Sequence, residues 1–400
     1  MIEPLRWLKG GDVLAIAAGA LISLAVAVAA SAAAKAGYTR SSPLVPPGHW
    51  LSVLQASVVL AFGAYLLGLA RLWRRRTELP LVLGFGAVIQ LLPLFGPVLL
   101  STDVFGYSGY ADMSSEGRDP YVETPTNSVP SLYGPIFTLL SEAIWFVTGG
   151  AAEAAQLTHR AIAATSILVT AFLASKLARD AAFAAAFVSW NPLLAFHFGG
   201  GGHNDALLVA VILAGLLIGR RTAPWAEGSV WAVSVFVKWV SLALAPIEAA
   251  ALVRRTGWRQ TGGFALAFVA CAAAIGLLTS LRYEWLDAVR TLSDVGQRTG
   301  SLGPGHWIDS LGFSSTTRDH VITVSQMSVI IGLAAWAAVT GHARLGLAAT
   351  LLAVTQGWLN PWYAIWGVGL AAADEGDQLG RVSALVLCGY LMSDVVYWWW

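Results

Sequence analysis

Apolar runs alternate with short polar breaks along almost the whole chain. Candidate spans fall at 13–34, 51–70, 80–100, 158–178, 181–198, 206–219, 261–281, 322–340, 343–356, 361–373 and 382–399. Most reach the roughly 17–25 apolar residues that cross a bilayer as a helix. Two stretches break the rhythm. Residues 135–149 are apolar but short, with Glu142 inside, and 225–253 is too long for one span and carries Lys238 and Pro246. The pattern predicts an all-α, polytopic helical membrane protein of about eleven full spans. A broken or re-entrant helix pair covers 225–253, and an interfacial helix at 135–149 lies in the first large outer loop.

Charge sets the expected sidedness, because cytoplasmic loops are enriched in Lys and Arg. If 135–149 does not cross, then Arg6, Lys9, Arg71, Arg74, Arg75, Arg76, Lys176, Arg179, Arg220, Arg221, Arg254, Arg255, Arg259, Arg344 and Arg381 share one side. That arrangement puts the N-terminus in the cytoplasm and the long loops 101–134 and 282–321 outside, with the turns 199–205 and 357–362. The expected location is a plasma (inner) membrane with an extracytoplasmic site. Residues 1–34 imitate a signal peptide, but their apolar run exceeds the usual 7–15 residues, so they read as a retained first span.

Composition agrees. Of 400 residues, 56% are hydrophobic and 12% charged, against about 25% charged in soluble domains. The net charge of +1 offers no footprint for nucleic acid. Cys271 and Cys388 sit in apolar runs, which argues against a disulfide framework.

The unusual polar residues cluster on the expected outer side. Residues 101–135 form an acidic, aromatic-rich island. Within it, Asp103 directly follows a span, where a carboxylate can take a proton from an attacking hydroxyl; helix capping is the plainer alternative. Tyr107, the Gly117-Arg118-Asp119-Pro120-Tyr121 turn and Tyr133-Gly134-Pro135 supply groups that could stack on or bond to a sugar. Trp190-Asn191-Pro192 leads to four glycines and then His203-Asn204-Asp205. A helix cap needs one residue and this turn offers three, and glycine permits close approach of a ligand. Lys238 at membrane depth costs about 2.5–3.5 kcal/mol on insertion scales, which suggests an anionic partner, Glu248 or a bound phosphate. Loop 282–321 adds Arg290, Arg298, His306, Asp309, Arg318 and His320, and Trp362-Tyr363 close the outer face. No HExxH, paired CxxC or phosphate-binding loop occurs, and a cation shared by Asp103 and Asp112 is not required.

In this order the motifs resemble the GT-C glycosyltransferases, and most closely the polyprenyl-phosphomannose-dependent mannosyltransferases of actinobacterial envelope synthesis. The GPI mannosyltransferases are similar at greater distance. The resemblance rests on Asp103 with Tyr107, GRDPY at 117–121, YGP at 133–135, NP at 191–192 with GGHNDALL at 201–208, Lys238 before Pro246, and PWYAIW at 361–366. It covers about residues 80–373, the expected catalytic core. Residues 1–79 are two added spans and 374–400 the last span of a single integrated domain.

The resemblance implies an inverting transfer of a hexose, most simply mannose, from a polyprenyl-phosphate donor to a hydroxyl of a glycolipid or lipid-linked glycan. Asp103 is the expected base. His203, Asn204, Asp205, Lys238 and Arg298 are expected at the donor, and Tyr107, Arg118, Tyr121, Tyr133, Trp362 and Tyr363 at the loop and acceptor. No metal ligand set and no further cofactor are expected, with a divalent metal left open. A lipid or sugar transporter or flippase is the alternative, kept open by Lys238 and the broken 225–253 stretch. A non-catalytic membrane scaffold is the third.

Overall fold

The computed structural model describes residues 6–34, 49–74, 77–125, 129–296, 299–300 and 302–397. No strand occurs among them. The helices are α1 Arg6–Ala34, α2 His49–Leu72, α3 Leu79–Leu91, α4 Asp103–Ser115, α5 Pro135–Val147, α6 Ala152–Leu177, α7 Ala181–Ser189 and α8 Pro192–Leu194. They continue with α9 Asp205–Arg221, α10 Pro224–Val237, α11 Ser241–Thr256, α12 Trp258–Ser280, α13 Ala288–Gly296, α14 Pro304–Ser310, α15 Ser315–Thr340, α16 Leu345–Val354, α17 Ala364–Ala372 and α18 Gln378–Tyr397.

Five helices, α1, α2, α6, α12 and α15, are each long and apolar enough to cross a membrane, and the bent pair α7–α8 makes six. Of the other expected spans, 206–219 is the continuous 17-residue α9 and 382–399 the continuous 20-residue α18, while the rest appear as shorter or interrupted helices, because their apolar runs are broken by Pro, Gly and polar residues. Residues 80–100 are helical only to Phe95, through a 3₁₀ turn at Leu92–Phe95. The expected single span 181–198 bends by 43° at Trp190–Asn191, because Pro192 has no N–H to continue the ladder. The stretch 225–253 does break, between Val237 and Ser241. The expected loop 101–134 begins with a helix, α4.

α17 is the centre of the bundle. All of its residues are buried, and it touches α6, α7, α9, α16 and α18. Small residues make this possible: a Cβ on Gly346 would stand 2.5 Å from Ala371 Cα. α1 and α2 form a hairpin whose second arm packs on α7 and α8. In lipid a broken helix must find new partners for its backbone, and here other helices supply them. The Tyr65 hydroxyl of α2 donates to Phe187 O at 2.7 Å, and Gln90 of α3 donates to Ser189 O at 2.9 Å and Asn191 O at 3.2 Å. The Asn191 side chain accepts from Leu193 N and donates to Cys388 Sγ of α18.

Candidate active site

Four breaks in the α-helical chain meet at one end of the bundle. The first is the turn 96–102 that ends in Asp103. The second is the run through the π-helical turn Ala195–Gly200 into His203-Asn204-Asp205. The third is the α10–α11 break at Lys238, and the fourth is the 3₁₀ turn Pro361–Tyr363. The Arg220–Arg221 end of α9 lies a helix length away, about 24 Å at 1.5 Å per residue, so the basic loops and this cluster occupy opposite ends.

Asp103 is the first residue of α4, and its own N–H donates to Ser101 Oγ at 3.1 Å. Its carboxylate accepts from the Tyr133 hydroxyl at 3.2 Å. His203 Nδ1 stands 3.3 Å from the same oxygen, close enough for charge interaction but off the line of a hydrogen bond. Burial alone would raise the Asp103 pKa. The His203 contact, the charge of Lys238 and the Tyr133 hydroxyl outweigh it and hold the pKa below its ordinary value. Burial, and then the Asp103 charge, push the Tyr133 phenol well up, so it remains a donor.

The second carboxylate is differently placed. Asp205 is 0% exposed against 29% for Asp103, and its Oδ1 accepts from Lys238 Nζ at 2.7 Å and Trp366 Nε1 at 2.7 Å. Lys238 is 12% exposed and also reaches Asn204 Oδ1 at 3.4 Å. The rings of Tyr133, Tyr363 and Trp366 surround its ammonium at 5.5–6.0 Å. Lys238 therefore pairs with Asp205, while Glu248, the alternative raised by the sequence, pairs with Arg255. Trp362 stacks on His203 with centroids 3.7 Å apart and planes at 14°. Several buried polar atoms here have no hydrogen-bond partner among the described residues: the Tyr107 hydroxyl, both nitrogens of His203 and of His197, Asn204 Nδ2 and Asp205 Oδ2.

The structure thus gathers Asp103, Tyr107, Tyr133, His203, Asn204, Asp205, Lys238, Trp362 and Tyr363. Tyr107 and Tyr133 are buried walls, stacked edge to face at 5.1 Å. Tyr121 is buried too, and its hydroxyl binds Tyr133 O and Thr138, bracing the wall from behind. Arg118 turns outward to Glu116 and Glu123. Arg298 lies outside the described residues. Arg318 pairs with Asp309 and Asp319. Asp112 is exposed on α4. Among the described residues no three His, Cys, Asp or Glu side chains converge as a metal site.

The sequence reading did not pick out Trp366, His197, His159 or Arg160. His159 backs the Tyr107 ring at 5.3 Å. Arg160, buried on α6, donates to Gly199 O, Pro93 O and Gly96 O. A charge inside an expected span was the signal that could have found it. Leu100, at φ +60°, turns the chain toward Asp103. Such a left-handed non-glycine costs of order 1–3 kcal/mol and persists only where its surroundings impose it.

Residues 16–254 match the family described as "Alpha-(1->6)-mannopyranosyltransferase, N-terminal domain". A "Probable alpha-(1->6)-mannopyranosyltransferase" of Mycolicibacterium smegmatis is 25% identical, covering 79% of this chain and 68% of the relative. Alpha-(1->6)-mannopyranosyltransferase B of Corynebacterium glutamicum is 26% identical over 71% of this chain and 57% of the relative. Alpha-(1->6)-mannopyranosyltransferase A of Mycobacterium tuberculosis is 26% identical over 71% and 64%. The chain therefore spans 57 to 68% of the length of these relatives. No solved structure matches it.

Proposed function

Because the chain belongs to the alpha-(1->6)-mannopyranosyltransferase family, a glycosyltransferase family, we propose that it transfers mannose from a polyprenyl-phosphate donor to a hydroxyl of a glycolipid or lipid-linked glycan. The reaction takes place at the outer face of the plasma membrane. One observation carries the reading: Asp103 is the only partly exposed carboxylate of the cluster, and a phenol, an imidazole and an ammonium are grouped around it. A partly exposed, ionised carboxylate can accept the proton of an attacking hydroxyl.

In the proposed step the acceptor oxygen attacks the anomeric carbon and its proton passes to Asp103. The bond from the anomeric carbon to the phosphate oxygen breaks, its electron pair stays on that oxygen, and polyprenyl phosphate departs. Phosphate needs no acid to leave, but its growing charge needs donors placed in advance. Lys238, oriented by Asp205 and the aromatic rings, and His203, held flat by Trp362, supply them. A single displacement inverts the anomeric centre. The relatives are named as forming α-(1→6) linkages, so an inverting enzyme making that linkage requires a β-linked donor and a 6-hydroxyl on the acceptor sugar.

The test is radiolabelled mannose transfer in membranes carrying wild type or Asp103→Asn, with polyprenyl-phosphomannose as donor and an envelope glycolipid extract as acceptor source. Wild-type transfer is expected to fall by roughly 10²–10⁴ in the variant at equal expression and donor binding. Equal transfer by both proteins would remove Asp103 from the role of base.

A further inference from the structure

We propose that Arg160 is a positioning residue of this site: its guanidinium ties the loop that delivers Asp103 to the loop that delivers His203. The inference rests on the reading of Asp103 as base. Arg160 lies two turns into α6 and is 5% exposed. Its Nε donates to Gly199 O at 2.8 Å, inside the π-helical turn before His203. Its Nη2 donates to Pro93 O at 2.6 Å and Gly96 O at 3.0 Å, in the turn before Asp103. One planar group thus holds both loops at once, and its rigid fork fixes their relative angle as a flexible ammonium could not.

The two loops touch in a manner that fits this tie. Leu99 N donates to Gly200 O at 3.2 Å, the backbone bond between them. A Cβ on Gly202 would stand 3.1 Å from Val104 and 3.2 Å from Arg160 Cγ, and one on Gly199 would stand 2.6 Å from Gln90 O. The glycines let the second loop lie flat against Arg160 and the first. The left-handed Leu100 sits beside the Leu99 bond, at the point where the first loop turns back toward His203. No carboxylate pairs with Arg160 among the described residues, so its donors are committed to these carbonyls.

The groups facing Asp103 are Tyr133, His203, Lys238 and Tyr107, and of these only His203 arrives on the second of the two loops that Arg160 holds. If the tie loosens, His203 is the neighbour that Asp103 loses. The acid limb of activity then moves to higher pH, an effect that general loss of folded protein does not produce.

The experiment compares the purified 400-residue chain as wild type, Arg160→Lys and Asp103→Asn by amide hydrogen exchange over 92–102 and 195–204, and by mannose transfer across pH. Arg160→Lys is expected to speed exchange in both segments together by about tenfold or more, with the peripheral α15 unchanged. It is expected to lower kcat by about 10²-fold, leave donor KM within about twofold, and raise the acid limb. Asp103→Asn is expected to leave both segments protected. Unchanged exchange, loosening of one segment alone, or a higher donor KM at unchanged kcat would overturn the proposal, the last by making Arg160 a donor anchor. If the lysine variant does not fold, Arg160→Gln, which keeps one donor nitrogen, takes its place. A wild type that transfers no mannose counts against the proposed function, while the exchange data still decide the tie.

Discussion

Replacing Asp205 by asparagine tests how much the buried Lys238–Asp205 pair contributes to the fold. The oxygen that accepts from Lys238 and Trp366 is kept and only the charge is removed. At 2.7 Å and an effective dielectric of about 20, the lost attraction is about 6 kcal/mol. A neutral hydrogen bond returns roughly 1 kcal/mol. The loss has a ceiling, because a lysine can shed its proton, which costs an ordinary lysine roughly 4–5 kcal/mol at pH 7. The expected destabilisation is therefore about 3–4 kcal/mol, within the range for breaking a buried pair. Lys238→Met leaves the 0% exposed Asp205 carboxyl without its cation, at a similar cost. The double variant leaves no lone charge and is expected within about 1–2 kcal/mol of wild type. Equilibrium unfolding in mixed micelles, followed by tryptophan fluorescence, measures all four corners of the cycle. The reasoning fails if Asp205→Asn costs less than about 1 kcal/mol, or if the double variant equals the sum of the singles.

Tyr133→Phe removes a donor from Asp103. Asp103 is held below its ordinary value, so wild-type activity is expected to be lost only as pH falls through that lowered pKa, below the ordinary carboxylate range. The variant's acid limb is expected at higher pH, and an unmoved limb in a pH–rate profile would count against the contact. Gly134→Ala places a Cβ 2.1 Å from Phe236 O, a backbone that cannot give way, and is expected to abolish folded protein in a size-exclusion assay. Tyr65→Phe leaves Phe187 O unpaired in the α7–α8 bend and is expected to cost about 1–3 kcal/mol, read from the unfolding midpoint in the same micelles. An α-linked polyprenyl-phosphomannose is expected to be inert where the β-linked form is used, as judged by label transfer.

Legibility followed the physics of each signal. Apolar run length gave the helical membrane class, and the excess length with Lys238 and Pro246 gave the α10–α11 break. The bend at Asn191 was missed because Trp190-Asn191-Pro192 lies within an apolar run, and run length does not register a change of direction. α4 read as loop because its sequence, DVFGYSGYADMSS, is rich in glycine, serine and aspartate, poor helix formers. It forms by packing on α5 and α6. The site residues stood out as polar islands, but their pairings did not. Nothing in the spacing of Lys238 distinguishes Asp205, 33 positions earlier, from Glu248, ten positions later. Arg160 was passed over because it lies at the start of a span, where snorkelling is the default expectation, whereas it points inward to three carbonyls.

The site lies where the chain abandons helix, and the reason is one of supply. Inside a bilayer a continuous helix consumes its own backbone groups, so irregular backbone at depth survives only where other protein groups satisfy it. Here Gly134 N donates to Val237 O at the α10–α11 break, and Ser241 Oγ donates to Lys238 O. Arg160 and Leu99 N serve the glycine run. Apart from the local Ser241 bond, each repair joins two segments that are far apart in sequence, so the bonds that make the breaks tolerable also bring the catalytic candidates together. The fixed charges follow the same logic. Asp205 is balanced by Lys238, whereas Arg160 is spent on the carbonyls of the two loops. On the proposed reaction, the proton gained by Asp103 offsets the charge gained by the departing phosphate, so the buried cluster carries the same total charge before and after transfer. The proton must leave once the phosphate has gone, which places its release at product dissociation rather than at bond breaking.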